Sequence, residues 1–394
     1  MTSPIEGVKV VDLSRFIAGP FCGLLLADMG AEVIKVEKPG GEDSRHLPPF
    51  VEGDSLYTAA LNRNKRAITL NYRHPRAKEV LTRLFKWADI VVENFRPGTM
   101  EEMGFGPEQI KQINPRVILV RSSGFGQSGP MRHRPGFDAI AQAMSGLMSM
   151  TGRESDPPLL AGTFVADYAT GIYAALGAVA ALHYRQMTGE GQVVDVSLFE
   201  SAVSMLVSAI PAYFLTGALP PRSGNRDRFA APCNAYRARD GWIYLACSNN
   251  GLWARLCGLM GRTDLLEAPH LQTPAMRLQH VDELDTIVGD WVANDTVDEL
   301  VKILDEAGLP CAPVWTIDRL ISDPHLRERG QIVDVEHPTA GTIPLSGVTI
   351  KFSRTPGAIR YGPPLVGQHN AEVYMHELGY EEGEWNQLKE EGVY

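Results

Sequence analysis

The first 37 residues restrict the fold most. Residues 7–13, GVKVVDL, have the apolar continuity of a short buried strand. Ala18-Gly19-Pro20 opens an apolar helix over residues 21–29, Gly30 ends it, and residues 31–37, AEVIKVE, return as a second strand. Strand, helix and strand at this spacing make a βαβ unit, the building block of a parallel sheet. Ligands of such sheets sit beyond the carboxyl ends of the strands, here near residues 14–18 and Lys38. This first unit has no GxGxxG between its strand and helix, so a dinucleotide site there lacks its phosphate-binding fingerprint.

The pattern continues. Residues 64–70 read as a strand entered from a basic turn, 74–87 as an amphipathic helix, and 89–95 as a strand ending at Pro97-Gly98. Residues 100–113 read as a helix, and 116–120 as a strand leaving into the glycine-rich loop 122–130. A strand over 192–198 and a helix over 200–214 follow the long apolar stretch at the centre of the chain. The fold class is therefore α/β with a mostly parallel sheet. A polar link at 219–228 marks a domain boundary. Beyond it lie a strand at 242–247 and helices at 251–260, 281–293 and 297–307. We divide the chain into a large domain over 1–220, a smaller α/β domain over 226–330, and a C-terminal segment, 331–394, that returns to the first. That segment carries strand-like pieces at 332–335 and 348–352. No internal repeat is present.

The central stretch, residues 160–191, places one acid, Asp167, on an uncharged run from Ala161 to Ala181. A carboxylate there must be paired, hydrogen-bonded, protonated or reactive. The spacing puts it at or near the N-cap of a helix packed on most sides, with Gly171 and Gly177 admitting another backbone. An ordinary capping aspartate and a chemical one both satisfy this pattern. The helix is too rich in Ala and Gly, and too soon followed by His183 and Arg185, to read as a membrane span.

Charge and cysteine usage narrow the partners. With 37 basic against 47 acidic residues, a net charge of −10, the chain is no general nucleic-acid binder, though a local basic patch for a phosphorylated ligand fits. The N-terminus has no charged region followed by an apolar one, so no secretory signal is expected. Five cysteines without a CxxC pair imply reduced thiols, no metal site and a cytoplasmic protein.

Several ordered motifs then converge: Gly7-x-x-Val10-x-Asp12 leading to Ala18-Gly19-Pro20; residues 30–37, GAEVIKVE; Asn64-Lys65-Arg66; Val92-Glu93-Asn94-Phe95-x-Pro97-Gly98; Asn114-Pro115-Arg116; Thr188-Gly189-x-Gly191-Gln192; residues 308–314, GLPCAPV; and Asp323-Pro324. Together they make the chain similar to the family III (CaiB/BaiF-type) CoA-transferases, among them formyl-CoA:oxalate and carnitine CoA-transferases, with α-methylacyl-CoA racemases as relatives. The resemblance implies a Rossmann-like large domain built from both chain ends, a small domain between them, and an interlocked homodimer. It implies no tightly bound cofactor and no metal, with a coenzyme A thioester and a carboxylic acid as substrates and neither nucleic acid nor membrane as partner.

The family's catalytic aspartate matches Asp167, in the pattern Ala166-Asp167-x-x-x-Gly171. A fixed carboxylate can attack the donor thioester and divide the exchange into an aspartyl acyl anhydride and an aspartyl-CoA thioester. Family CoA contacts match Phe16, Ile17, Ala18, Lys38, Leu70, Arg73, Asn94 and Phe95. Racemases carry Gly-His-Asp where this chain has Gly136-Phe137-Asp138, so the second base of a racemase is absent, and His133 stands out of register. Two features depart from the formyl-CoA members: Glu102 replaces a phosphate-contacting arginine, and Phe229-Ala230-Ala231-Pro232 replaces a tetraglycine loop. The expected activity is transfer of CoA from an acyl-CoA, such as succinyl-CoA, to a free acid, with Arg15, Arg45 and Arg228 as candidate holders of a second carboxylate. The alternatives are an α-methylacyl-CoA epimerase and a non-catalytic acyl-CoA binding protein.

Overall fold

The computed structural model describes residues 3–394. They form two compact units: one comprises residues up to 147, 160–210 and 323–394, the other 148–159 and 211–322.

The larger unit is built on a six-stranded sheet. Its strands are β1 (Lys9–Asp12), β2 (Glu32–Glu37), β3 (Lys65–Thr69), β4 (Ile90–Glu93), β5 (Ile118–Ser123) and β6 (Val193–Ser197). All pairings are parallel, in the order β3-β2-β1-β4-β5-β6. Alternate side chains divide between two apolar layers. Val11, Ile34, Ile68, Val91 and Leu119 pack with Leu84 and Phe85 of the helix Ala77–Trp87 and with Val373, Tyr374 and Leu388 from the C-terminal segment. Val10, Val33, Ile90, Ile118 and Val120 face two other helices, α1 (Ala18–Asp28) and the long central helix introduced below. Burial on both faces is why these strands read as continuous apolar runs. The free edge of β3 is covered: the Ala67 and Thr69 N–H groups donate to His369 and Asn370 side chains, and the Tyr374 hydroxyl donates to the Thr69 carbonyl.

Three further helices frame the site: α2 (Asp138–Met144), α3 (Val165–Thr188) and α4 (Leu198–Ser204), with α5 (Ala209–Thr216) after them. Gly171 of α3 faces the start of α1, where a Cβ would stand 2.8 Å from the Ala18 carbonyl oxygen and 2.9 Å from the Phe21 ring. Only glycine admits that approach.

In the smaller unit an antiparallel sheet, β7 (Cys233–Arg237), β8 (Trp242–Ala246) and β9 (Cys311–Pro313), runs in the order β9-β8-β7. Its core joins Ile243 and Leu245 to Leu256, Leu284, Val288, Val292, Leu300 and Leu304 from three helices.

Local departures from the sequence pattern have clear causes. The helix expected over 100–113 breaks into Thr99–Glu102 and Pro107–Ile113, because Gly104 takes φ +81° and Pro107 starts a new first turn. The helix expected over 200–214 divides into α4 and α5 around Val207, at φ +50°. The strand expected at 348–352 is irregular, since β10 (Ile332–His337) is already paired through its whole length with β11 (Gly341–Ser346).

Candidate active site

The strand order reverses between β1 and β4, so the chain leaves these neighbours in opposite directions and opens a crevice beyond their carboxyl ends. The loop after β1, residues 13–17, crosses this crevice and is held from several sides. Asn94, just after β4, accepts the Arg15 N–H at 2.8 Å and donates to the Arg15 carbonyl at 2.7 Å. Glu42 accepts the Phe16 N–H at 2.9 Å. Phe16 sits at φ +62°, a conformation that costs a side-chain-bearing residue of order 1 kcal/mol and persists because its surroundings fix it.

Beneath the loop lies a buried charge network. Asp12 accepts the Ser14 N–H at 3.0 Å, while Lys65 donates to Asp12, Asn62 and the Pro20 carbonyl at 2.8–2.9 Å. Lys35 bonds the Ser14 carbonyl and faces Asp12 and Glu42. Burial works against the Asp12 anion, yet Lys35, Lys65 and Ser14 prevail and hold its carboxyl down to about 2. Asp12 and Lys65, each within a motif, thus fix backbone; neither is exposed to a ligand.

Asp167 lies in the first turn of α3 and is half-buried. It is not the N-cap. The helix begins at Val165, and its free N–H groups are capped from α2: Asp138 Oδ1 accepts Ala166 N–H at 2.8 Å and Asp167 N–H at 3.2 Å. Gln142 secures Asp138, its amide donating to Oδ2 at 2.5 Å while its own oxygen accepts the Ala161 N–H at 3.0 Å. With the cap supplied elsewhere, the Asp167 carboxylate is left for other work. Burial and the Asp138 charge push its pKa up to about 7, opposed by a hydrogen bond from the Ala18 N–H at the start of α1. No cation among the described residues offsets that rise. The Tyr57 and Tyr168 phenols are both held above their ordinary range, by burial first and then by the nearby Asp167 charge. Phe164 meets Tyr57 edge-on at 6.4 Å, and exposed Phe137 meets Phe16 at 5.8 Å. A partly buried carboxylate with no cation to offset it, next to a helix N-terminus, has the raised pKa and the neighbouring N–H donor that mark a candidate functional site.

The residues expected to bind CoA divide into groups. Phe16, Ile17 and Ala18 form the loop next to Asp167, with Ile17 and Ala18 buried. Asn94 supports that loop through its backbone bonds, and Phe95 lies under the Arg15 guanidinium at 5.5 Å and edge-on to Tyr72. Exposed Lys38 pairs with Asp43, which also takes Arg15 at 3.2 Å. Arg73 is exposed near the end of β3, whereas Leu70 is wholly buried in the core and offers no side-chain surface. Arg45 is a poor holder of a second carboxylate, because its Nε–Nη2 edge already makes a two-pronged pair with Glu37 at 2.7 Å and Nη2 also donates to the Pro364 carbonyl. Arg228, in the smaller unit, donates to the Met150 carbonyl at 3.1 Å. His133 is exposed beside Arg132. The sequence reading missed Asp138 as the cap; its place directly after the racemase-histidine position was the available clue.

Comparison with known proteins bears on family and fold. The family model described as CoA-transferase family III matches residues 5–370. A succinyl-CoA–D-citramalate CoA-transferase of Chloroflexus aurantiacus is 40% identical over 396 residues, covering 99% of this chain and 98% of that protein. The succinyl-CoA–L-malate CoA-transferase beta subunit of the same organism is 37% identical, covering 100% and 98%. A CAIB/BAIF family protein from Brucella suis, solved by crystallography, superposes with a TM-score of 0.87 at 33% identity, covering 96% of this chain and 100% of its own.

Proposed function

The chain belongs to CoA-transferase family III, and we propose that it moves CoA from succinyl-CoA to a free dicarboxylic acid with Asp167 as nucleophile. The observation carrying this reading is the Asp167 carboxylate, offset by no cation among the described residues and facing the Ala18 N–H.

The reaction balances without an outside energy source. Asp167 attacks the donor carbonyl, the C–S bond breaks, and CoA thiolate leaves a mixed anhydride on the enzyme. The thiolate attacks the aspartyl carbonyl of that anhydride, freeing the donor acid and forming an aspartyl-CoA thioester. The acceptor carboxylate then expels the thiolate to form a second anhydride. Thiolate attack on the acceptor carbonyl gives the new acyl-CoA and regenerates Asp167. The Ala18 N–H at the helix terminus supports the developing oxyanions.

For CoA binding, the Phe16–Ala18 loop, Asn94 and Phe95 suit the pantetheine path, and Lys38 and Arg73 suit the phosphates. The relatives' names supply the succinyl donor and the dicarboxylate acceptor. Against a racemase stands Phe137, which has no proton to exchange and meets Phe16 edge-on.

The working form in this reading is an interlocked homodimer. Large apolar side chains lie bare on α3 and α5: Leu176 is 64% exposed, Phe214 89% and Leu215 83%. Surfaces of that kind call for a covering partner. The five unpaired cysteines suit a cytoplasmic setting.

A direct test mixes the enzyme with succinyl-CoA and a panel of four- to six-carbon dicarboxylates in deuterium oxide. The expected result is a new acyl-CoA without label at its α-carbon. Label without exchange supports an epimerase, and binding without turnover on any acceptor supports an idle binder.

A further inference from the structure

We propose that His270, His280 and Glu283 in the smaller unit form a binding site for a divalent transition metal of the zinc type. His270 stands on the short turn Pro269–Leu271, His280 joins the helix Pro274–Gln279 to the helix Val281–Val292, and Glu283 follows in the latter's first turn. The fold brings all three to one point. His270 Nε2 lies 3.2 and 3.1 Å from the two Glu283 carboxylate oxygens, and His280 Nδ1 lies 3.9 Å from Oε2. The two imidazoles meet at 4.7 Å between centroids, and one donor atom from each residue lies within 4.8 Å of the others.

The donor set selects the ion. Two imidazole nitrogens and a carboxylate match zinc-type chemistry, whereas calcium and magnesium demand oxygen. Bonds of about 2.0–2.1 Å at a tetrahedral centre separate donors by roughly 3.4 Å. His270 and Glu283 already stand near that spacing, and a small ring rotation brings His280 in. All three side chains are about two-fifths exposed, so a hydrated ion can enter and keep water as its fourth ligand. A bound ion would tie the 269–271 turn and the junction at 280 to a helix that buries Leu284, Val288 and Val292 in the core of this unit. Metal binding then becomes stability.

The test strips the full-length protein with chelator and titrates it with Zn2+ alone by calorimetry, while a parallel melt records stability. One ion per chain is expected, with a melting temperature raised by several degrees and no response to Mg2+. His270→Gln, His280→Gln and Glu283→Gln should each weaken binding tenfold or more. Co2+ added to the native protein should give the intense visible absorption of a four-coordinate centre, a readout independent of how the variants fold. Absence of stoichiometric Zn2+ binding, an unchanged affinity in the histidine variants, or a six-coordinate Co2+ spectrum overturns the proposal.

Discussion

Asp167 carries an acid held near neutrality, and under the proposed mechanism its charge state governs rate as well as stability. Only the anion attacks a thioester, so kcat/KM should rise tenfold per pH unit below the midpoint and level off above about 7, as a stopped-flow pH profile would show. Asp138→Asn removes the neighbouring charge that helps raise this group, so the acid limb should move to lower pH. The same displacement affects folding. The folded chain binds the Asp167 proton more tightly than the unfolded chain, so stability falls as pH climbs from about 4 to about 7. A displacement of that size corresponds to about 4 kcal/mol at most, reduced by partial solvent access to roughly 2 kcal/mol. Asp167→Asn should therefore stabilise the protein by that amount at pH 8 and by almost nothing at pH 4, measured by urea unfolding. The residue was visible in the sequence as one acid in a long uncharged run. Its freedom was not, because the cap comes from Asp138, 29 residues away.

Elements place this residue through close approach and through a pinned loop. In Gly171→Ala the new methyl group meets the Ala18 carbonyl and the Phe21 ring, so α1 must move and its Ala18 N–H with it. A loss of about 1–3 kcal/mol is expected on thermal unfolding, with a larger fall in kcat than in binding. Asn94→Ala deletes both bonds to the Arg15 backbone, worth about 1–3 kcal/mol in all, and should raise KM for the acyl-CoA about tenfold. Strands β1, β2, β4 and β5 were legible because parallel strands buried on both faces leave long apolar runs, while β6, half exposed at the sheet edge, showed through its valines. The breaks at Gly104 and Val207 were obscured because apolar residues continue through them at helical spacing. Arg45 was misjudged for a different reason: charge shows in a sequence, but its engagement with Glu37 depends on the fold.

For the molecule as a whole, the strand order 3-2-1-4-5-6 puts the Phe16 loop and Asn94 beside each other, although 78 residues separate Phe16 from Asn94. That juxtaposition follows from topology and cannot be read from local pattern alone. The bare apolar side chains of α3 and α5 are the surface a second chain would cover in the proposed dimer: Leu176→Asp combined with Phe214→Asp should abolish a species of twice the chain mass in light scattering. The proposed chemistry comes down to a bond formed by one Asp167 oxygen. Brief mixing with succinyl-CoA, hydroxylamine quenching and peptide mass spectrometry tests it most directly: a hydroxamate on Asp167, absent from Asp167→Asn, is expected. Transfer at the native rate with Asp167 unlabelled, or undiminished in Asp167→Asn, would contradict it.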